Sequence, residues 1–189
     1  MSGFATYQDF GTNHTFSDAV TLDSGAMEEA IRLDEVTVFG GKLSFLIPHD
    51  WEEQESVADT FYLYSRPNAE SGWFRVSLNT SRAVAEKPAE SLKRIFDGRD
   101  NVRRDEQTGN VVCAFQRDTE EECVKLRLYY WFVANVVEPD LVREAVFSYT
   151  VLSEQMDAEE TKNMLELLEQ TVSRANFRPE TVGSSDVSA

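Results

Sequence analysis

Lys42-Leu43-Ser44-Phe45-Leu46-Ile47-Pro48-His49-Asp50-Trp51 reads as an apolar strand that stops at a proline and turns a corner onto a tryptophan. Pro48 ends the strand because it has no amide proton to give a neighbouring ladder. Two more strands follow, Thr60-Phe61-Tyr62-Leu63-Tyr64 and Trp73-Phe74-Arg75-Val76-Ser77-Leu78-Asn79. In the second, Phe74, Val76 and Leu78 alternate with Arg75, Ser77 and Asn79, the period-two mark of a sheet with one drier face. An antiparallel sheet is therefore expected.

Upstream, Val36-Thr37-Val38-Phe39 leads through Gly40-Gly41 into the Leu43 strand. A hairpin and a bulge in one continuous strand read alike here. Ser24 to Leu33 is expected to form a short helix, with Met27, Ala30 and Ile31 on one side. Residues 1 to 22 are polar, dotted with isolated aromatics, and read as a mobile or loosely docked arm.

Downstream, Pro88 falls in the first turn of a helix expected to reach Asp97, with Leu92, Ile95 and Phe96 on its apolar side and Gly98 closing it. Val111 to Gln116 is expected to pair, across a turn at Asp118–Glu122, with Val124 to Ala134. The latter strand is apolar on both faces: Leu126, Leu128, Tyr130 and Phe132 on one, Tyr129, Trp131 and Val133 on the other. Such a strand needs cover on both sides. Leu141 to Leu152 follows as a strand after the Glu138-Pro139-Asp140 turn. A helix from an N-cap at Asp157 to Asn176 closes the chain, with Met164, Leu165, Leu168, Val172 and Ala175 as its buried stripe. The economical arrangement is α+β, a three-layer α/β/α sandwich around a central antiparallel sheet of about six strands. It spans 36–178, between an arm over 1–35 and a disordered tail over 179–189.

The composition suits such a domain. The chain has 189 residues, 41% hydrophobic and 28% charged, enough to bury a core without disulfides or metal. Its net charge of −16, from 34 acidic and 18 basic groups, repels phosphate backbones and argues against nucleic acid as a partner. No apolar run reaches the roughly 20 residues of a membrane-spanning helix, so no membrane insertion is expected. The first ten residues lack a basic start and an apolar stretch, which makes the cytoplasm the expected location. Cys113 and Cys123, the two cysteines, are expected as reduced thiols. The stretch Arg82 to Arg104 carries seven basic residues against four acidic, read as a solvated face or an anchor for an acidic partner.

Signatures of chemistry are few. There is no phosphate-binding glycine loop and no Gly-x-Ser-x-Gly elbow. His14 and His49 are the only histidines and form no metal-binding pair; no cofactor or metal is expected. His49 next to Asp50 invites a hydrolase reading, but neighbours on an extended corner point apart, whereas a general base needs a carboxylate aimed at its ring. Asp118 to Glu122 offers oxygen ligands without the spacing that wraps a calcium ion.

The order of these elements resembles the Mog/PsbP-like fold, including its bacterial DcrB-like members. The resemblance rests on Leu43-Ser44-Phe45-Leu46-Ile47-Pro48 with Trp51, the strand pair ending at Asn79, the helix of Leu92, Ile95 and Phe96, the later strands, and the closing Ala175-Asn176-Phe177. It covers roughly residues 36 to 178. Relatives of that fold include a binder of the small GTPase Ran, a photosystem subunit, and bacterial chaperones for type VI secretion. They share no catalytic motif, so no site residues carry over.

What the resemblance implies is recognition, and the aromatic residues offer a surface for it. Tyr62 and Tyr64 share one face of their strand, and Tyr129 and Trp131 share one face of theirs. If the helices leave that sheet face open, these rings form a platform for a peptide or partner helix, with Trp73 beside it and Arg75 or the Arg82–Arg104 segment orienting the partner. The expected activity is that of a non-enzymatic protein-binding module, an adaptor or chaperone linked to type VI secretion. The alternatives are an acidic immunity-type inhibitor of a toxin and a hydrolase built on His49. Oligomeric state stays open, a homodimer included.

Overall fold

The computed structural model describes residues 31–57, 60–82 and 87–179. The arm over 1–30, most of the helix expected from Ser24 and the tail over 180–189 lie outside the described residues.

Strands β1 (Leu33–Val38) and β2 (Leu43–Pro48) form an antiparallel hairpin. Phe39, Gly40 and Gly41 all take positive φ (53°, 62° and 84°), which decides for a tight reversal over a bulge. Leu33, expected at a helix end, opens β1 and pairs with Pro48. The domain thus starts ahead of residue 36. Next come β3 (Glu52–Val57), β4 (Phe61–Ser65) and β5 (Trp73–Arg82). Helix α1 (Pro88–Ile95) ends two residues short of the expected Asp97, and Gly98 closes it at φ 70°. Then follow β6 (Val102–Arg104), β7 (Val111–Glu121), β8 (Val124–Glu138) and β9 (Leu141–Leu152). The chain closes with α2 (Glu159–Ser173) and β10 (Asn176–Phe177).

Two sheets result. One has seven strands in the order β3-β4-β5-β9-β8-β7-β6, the other three in the order β1-β2-β10. Every strand pairing among the described residues is antiparallel. The molecule is a sheet-dominated α+β structure, and the expectation of about six strands in one sheet gives way to seven plus three. The three extra elements had weak signals. Strand β3 is Glu-Glu-Gln-Glu-Ser-Val, exposed throughout, so no apolar alternation betrays it. Strand β6 has three residues, and β10 occupies positions that helical periodicity assigned to α2.

The β7–β8 hairpin is longer than expected. Its turn is Glu122-Cys123, both at positive φ (49° and 69°), the geometry of a two-residue reversal. The expected turn residues Asp118 to Glu121 are paired strand, with Asp118 opposite Arg127. Arg127 grips Asp118 through both carboxylate oxygens (2.6 and 2.9 Å), and that bond holds the Asp118 carboxyl below its ordinary pKa. Cys113 faces Phe132 across the hairpin and Cys123 sits in the turn; both are free thiols. Helix α2 is capped by Ala158, which offers no side-chain bond, rather than by Asp157.

The main core lies between the sheets. Phe45 of β2 meets Tyr64, Phe74 and Phe147 edge-on, at 5.2 to 6.2 Å between ring centres. Trp51, past the proline corner, stacks on Tyr149 at 6.0 Å and tilts against Phe74. Helix α2 fills the rest of this face with Met164, Leu167, Leu168 and Val172. A smaller cluster on the other face joins Leu92 and Phe96 to Cys113, Ala134 and Val142. A layer of helices on both faces was expected. The structure puts the small sheet beside α2 on one face and α1 over one end of the other.

Candidate functional site

Cross-strand register sorts the large sheet's residues onto two faces. Tyr64 pairs with Phe74, Phe74 with Tyr149, and Tyr149 with Tyr129. This face is the inner one, under β2 and α2. The other face follows Leu63, Arg75, Ser148, Tyr130 and Phe115, each opposite the next.

The four aromatics read as a platform therefore share a face, and that face carries the small sheet and α2. Tyr64 is buried beneath Phe45, and Tyr62 packs edge-on to Phe39 at 5.0 Å. Two strands, β5 and β9, separate this pair from Tyr129 and Trp131. The latter two line a groove of about 470 Å³ beside α2, with Ala114, Gln116, Leu165 and Glu169. Glu169 fixes its wall, accepting hydrogen bonds from Trp131 Nε1 and from Arg103 (2.6 Å). Trp73 and Arg75 stand on the outer face instead.

That outer face is the more telling one. Six large hydrophobic side chains are exposed among the described residues: Val57, Trp73, Val102, Phe115, Val124 and Val136. The register places all six on the outer face. Val57 pairs with Phe61, Trp73 with Thr150, Val102 with Cys113, and Val136 with Val142, all outer positions. Phe115 pairs with Tyr130, and Val124 lies an even number of residues from it along β8. Phe115 stacks on Tyr130 and on Phe132 (4.9 and 5.5 Å). Arginines lie over the rings at both ends: Arg75 over Phe61 (4.2 Å) and Arg99 over Phe132 (3.9 Å). Such cation–π contacts hold a charge above an apolar floor. The face is open because its cover is small. Seven strands at about 4.8 Å spacing span roughly 29 Å, whereas the eight residues of α1 reach roughly 12 Å.

Sequence reasoning missed Phe115, Val102, Val124, Val136 and the stacking role of Arg99. Alternation within Val111–Gln116 marks two faces but does not say which is covered.

At the proline corner lies a second cavity, of about 320 Å³, lined by Trp51, Arg66, Gly72, Tyr149, Glu160 and Thr161 among others. Arg66 bridges Asp50 (2.7 Å) and Glu160 at the start of α2. Asp50 thus serves Arg66, while the His49 ring meets Asp34 through Nδ1 at 2.6 Å. Among the described residues no hydroxyl or thiol is hydrogen-bonded to the His49 ring.

Burial pushes the Tyr149 phenol up to about 12; Arg66 works against that shift and Glu160 with it. The unfolded phenol titrates near 10, so below that pH both states keep the proton and stability is intact. Between about pH 10 and 12 only the unfolded chain ionises here, and stability falls by about 1.4 kcal/mol per pH unit from this group. Urea unfolding from pH 9 to 11.5 is expected to show a Tyr149→Phe variant with a shallower loss than the wild type. Parallel curves would show that the phenol does not matter.

No protein-family model matches this sequence, and no curated protein matches it. Solved structures do. A crystal structure from Bacteroides thetaiotaomicron is 18% identical with a TM-score of 0.53, covering 77% of this chain and 48% of that one. The chain thus spans about half the length of that protein. LpqN of Mycobacterium tuberculosis, involved in cell envelope biogenesis, is 11% identical with a TM-score of 0.47, over 78% of this chain and 92% of LpqN. A cyanobacterial PsbP from Synechocystis is 11% identical with a TM-score of 0.34, over 82% of this chain and 98% of the PsbP. A PsbP is thus among the structures this chain is similar to. Of these three, only the Bacteroides likeness exceeds 0.5, and at 18% identity it speaks for fold and not for activity.

Proposed function

We propose that this chain is a non-enzymatic protein-binding module, an adaptor or holding chaperone, whose outer sheet face receives its partner. One observation carries the reading: the six exposed large hydrophobic residues all fall on that face. Scattered singly over a surface they would need no explanation, but gathered on one face they mark an interaction site. In this reading the fold is the three-layer sandwich with its outer layer incomplete, and the partner completes it.

The face also has a charge preference. Within a chain of net charge −16, it presents Arg75, Arg99 and Arg117; Glu55 and Glu121 sit at its margins, and Glu144 lies on the central strand β9 between Asn79 and Ala134. The centre suits an apolar surface that carries some acidic groups. An immunity-type inhibitor working by bulk negative charge would bind a basic target and let go in salt. An apolar grip tolerates salt, so binding that persists at about 0.5 M salt, where screening reaches only a few ångströms, favours the chaperone reading.

Parallel affinity captures from the native host test the face. The wild type and a Glu166→Ala control on α2 are expected to retain a common protein that a Trp73→Ser/Phe115→Ser variant loses. Calorimetry with that protein, once purified, is expected to show affinity reduced at least about 100-fold, the scale of two interface anchors. Both side chains are exposed, so the variant is expected to melt within a few degrees of the wild type. Equal retention by all three proteins would remove the outer face as the binding surface.

A further inference from the structure

Strand β7 has a partner along only part of one edge. On one side it pairs with β8 over its whole length, from Val111 to Glu121. On the other, β6 pairs with Val111, Val112 and Cys113 alone. From Ala114 to Glu121 the second edge has no neighbouring strand among the described residues. The cause is local. Asn101, just before β6, takes a left-handed conformation (φ 58°) that turns the backbone off the sheet line. The Cys113 thiol pins the turn by donating to the Asp100 carbonyl (3.3 Å).

An unpaired edge is a template for another strand, and folded proteins ordinarily guard it. The opposite edge of this sheet follows that rule: β3 carries Glu52, Glu53 and Glu55. The β7 edge does so only at its far end, with Asp118, Glu120 and Glu121. Its near half, Ala114-Phe115-Gln116-Arg117, has no carboxylate, and hollows flank it on both faces. On the α2 side lies the groove floored by Tyr129, Trp131 and Leu165. On the outer side is a hollow of about 330 Å³ bounded by Arg99, Asn101, Cys113 and Phe115.

We propose that a partner adds an extended strand to β7 along Ala114–Glu121, in line with β6 and antiparallel to β7. Backbone hydrogen bonds supply its affinity, and alternate side chains entering the two hollows supply specificity. The geometry states the partner's chemistry. On the α2 side, Ala114 and Gln116 border the groove and Glu120 lies further along the same face. The incoming segment therefore carries a lysine or arginine beside Glu120 and, four residues later, a large apolar side chain in the groove. Of the residues between them, those on the outer face stand opposite Thr119 and Arg117, and the residue just after the apolar one stands opposite Phe115. This deepens the reading of the outer face and rests on it, since Phe115 belongs to both surfaces.

The test uses the full-length protein and an acetylated, amidated octapeptide of threonines bearing one lysine and, four residues later, one leucine. Amide exchange read by NMR is expected to slow at least tenfold within 114–121 on saturation. Two isomers N-methylated on alternate residues complete the test: one set of methyl groups faces β7 and the other faces away. One isomer is expected to lose at least tenfold in affinity and the other to bind like the parent. Equal binding by both isomers, protection elsewhere, or no binding at millimolar peptide would overturn the proposal. Should the peptide fail while the Trp73→Ser/Phe115→Ser variant still loses its protein, the edge falls and the face stands. Peptide protection with captures unaffected leaves the edge and removes the face.

Discussion

Truncating Phe147 to alanine is expected to lower stability by about 3–5 kcal/mol, the range for a large aromatic cut out of a packed core. The side chain is fully buried at the middle of β9, the central strand of the large sheet. Phe45 meets it from the small sheet at 5.2 Å, and Phe74 stacks beside it at 5.7 Å. No neighbour can collapse into the space without pulling one sheet towards the other. Set against the 5–15 kcal/mol of an ordinary domain, this loss leaves a marginal protein. Urea unfolding measures it as a fall in midpoint, and a Phe147→Leu variant is expected to recover most of the difference. A loss under about 1 kcal/mol would mean that the two sheets are not packed through these rings.

Asn110→Ala is the second large loss, about 3 kcal/mol, and it acts through hydrogen bonds. Asn110 is completely buried. Its amide donates to the carbonyls of Ser173 (2.9 Å) and Ala175 (2.8 Å), and its own carbonyl accepts from Asn135 (2.7 Å). Alanine leaves two α2-end carbonyls and the Asn135 amide without this partner, each at a cost of about 1 kcal/mol or more. The loss should also be felt at a distance. With the end of α2 released, β10 loses its hold, and amide exchange at Phe177 and along Leu43-Ser44 is expected to quicken. Unchanged exchange there would show that β10 is held by its ladder alone.

Asn110 shows where sequence reading runs out. The residue sits between a glycine and a valine with nothing to mark it, and its partners are 63 and 65 residues away. By contrast, Pro48 and Trp51 announce the corner and the stacked core behind it, because a missing amide and a bulky ring act locally. The alternation of Phe74, Val76 and Leu78 likewise places the inner face, and Met164, Leu168 and Val172 orient α2. What alternation leaves out is which face gets covered. Tyr64 and Phe115 are both aromatic and both on strands, and only the positions of β2 and α1 decide that one is core and the other surface. The charged edge strand β3 and the short β6 were silent because edges need neither apolar faces nor length. In sequence, Trp73 and Arg75 group with Tyr62, Tyr64, Tyr129 and Trp131 around one platform. That the first two and the other four belong to opposite sides of one sheet follows from register, which pairs residues far apart in the chain.

The strand order β3-β4-β5-β9-β8-β7-β6 sets a timetable for the newborn polypeptide. Neighbours β3 to β5 form one meander and β6 to β9 another, each from contacts close along the chain, but the seam between them is the ten-pair ladder of β5 with β9. A nascent chain that has emerged only as far as β8 holds β5 with one long side unzipped and the side chains of Phe74 and Val76 waiting for Phe147. Loop closure across that gap comes late and sets the pace of folding. Until then a helper that shields β5 does for the half-made protein what β9 does for the finished one.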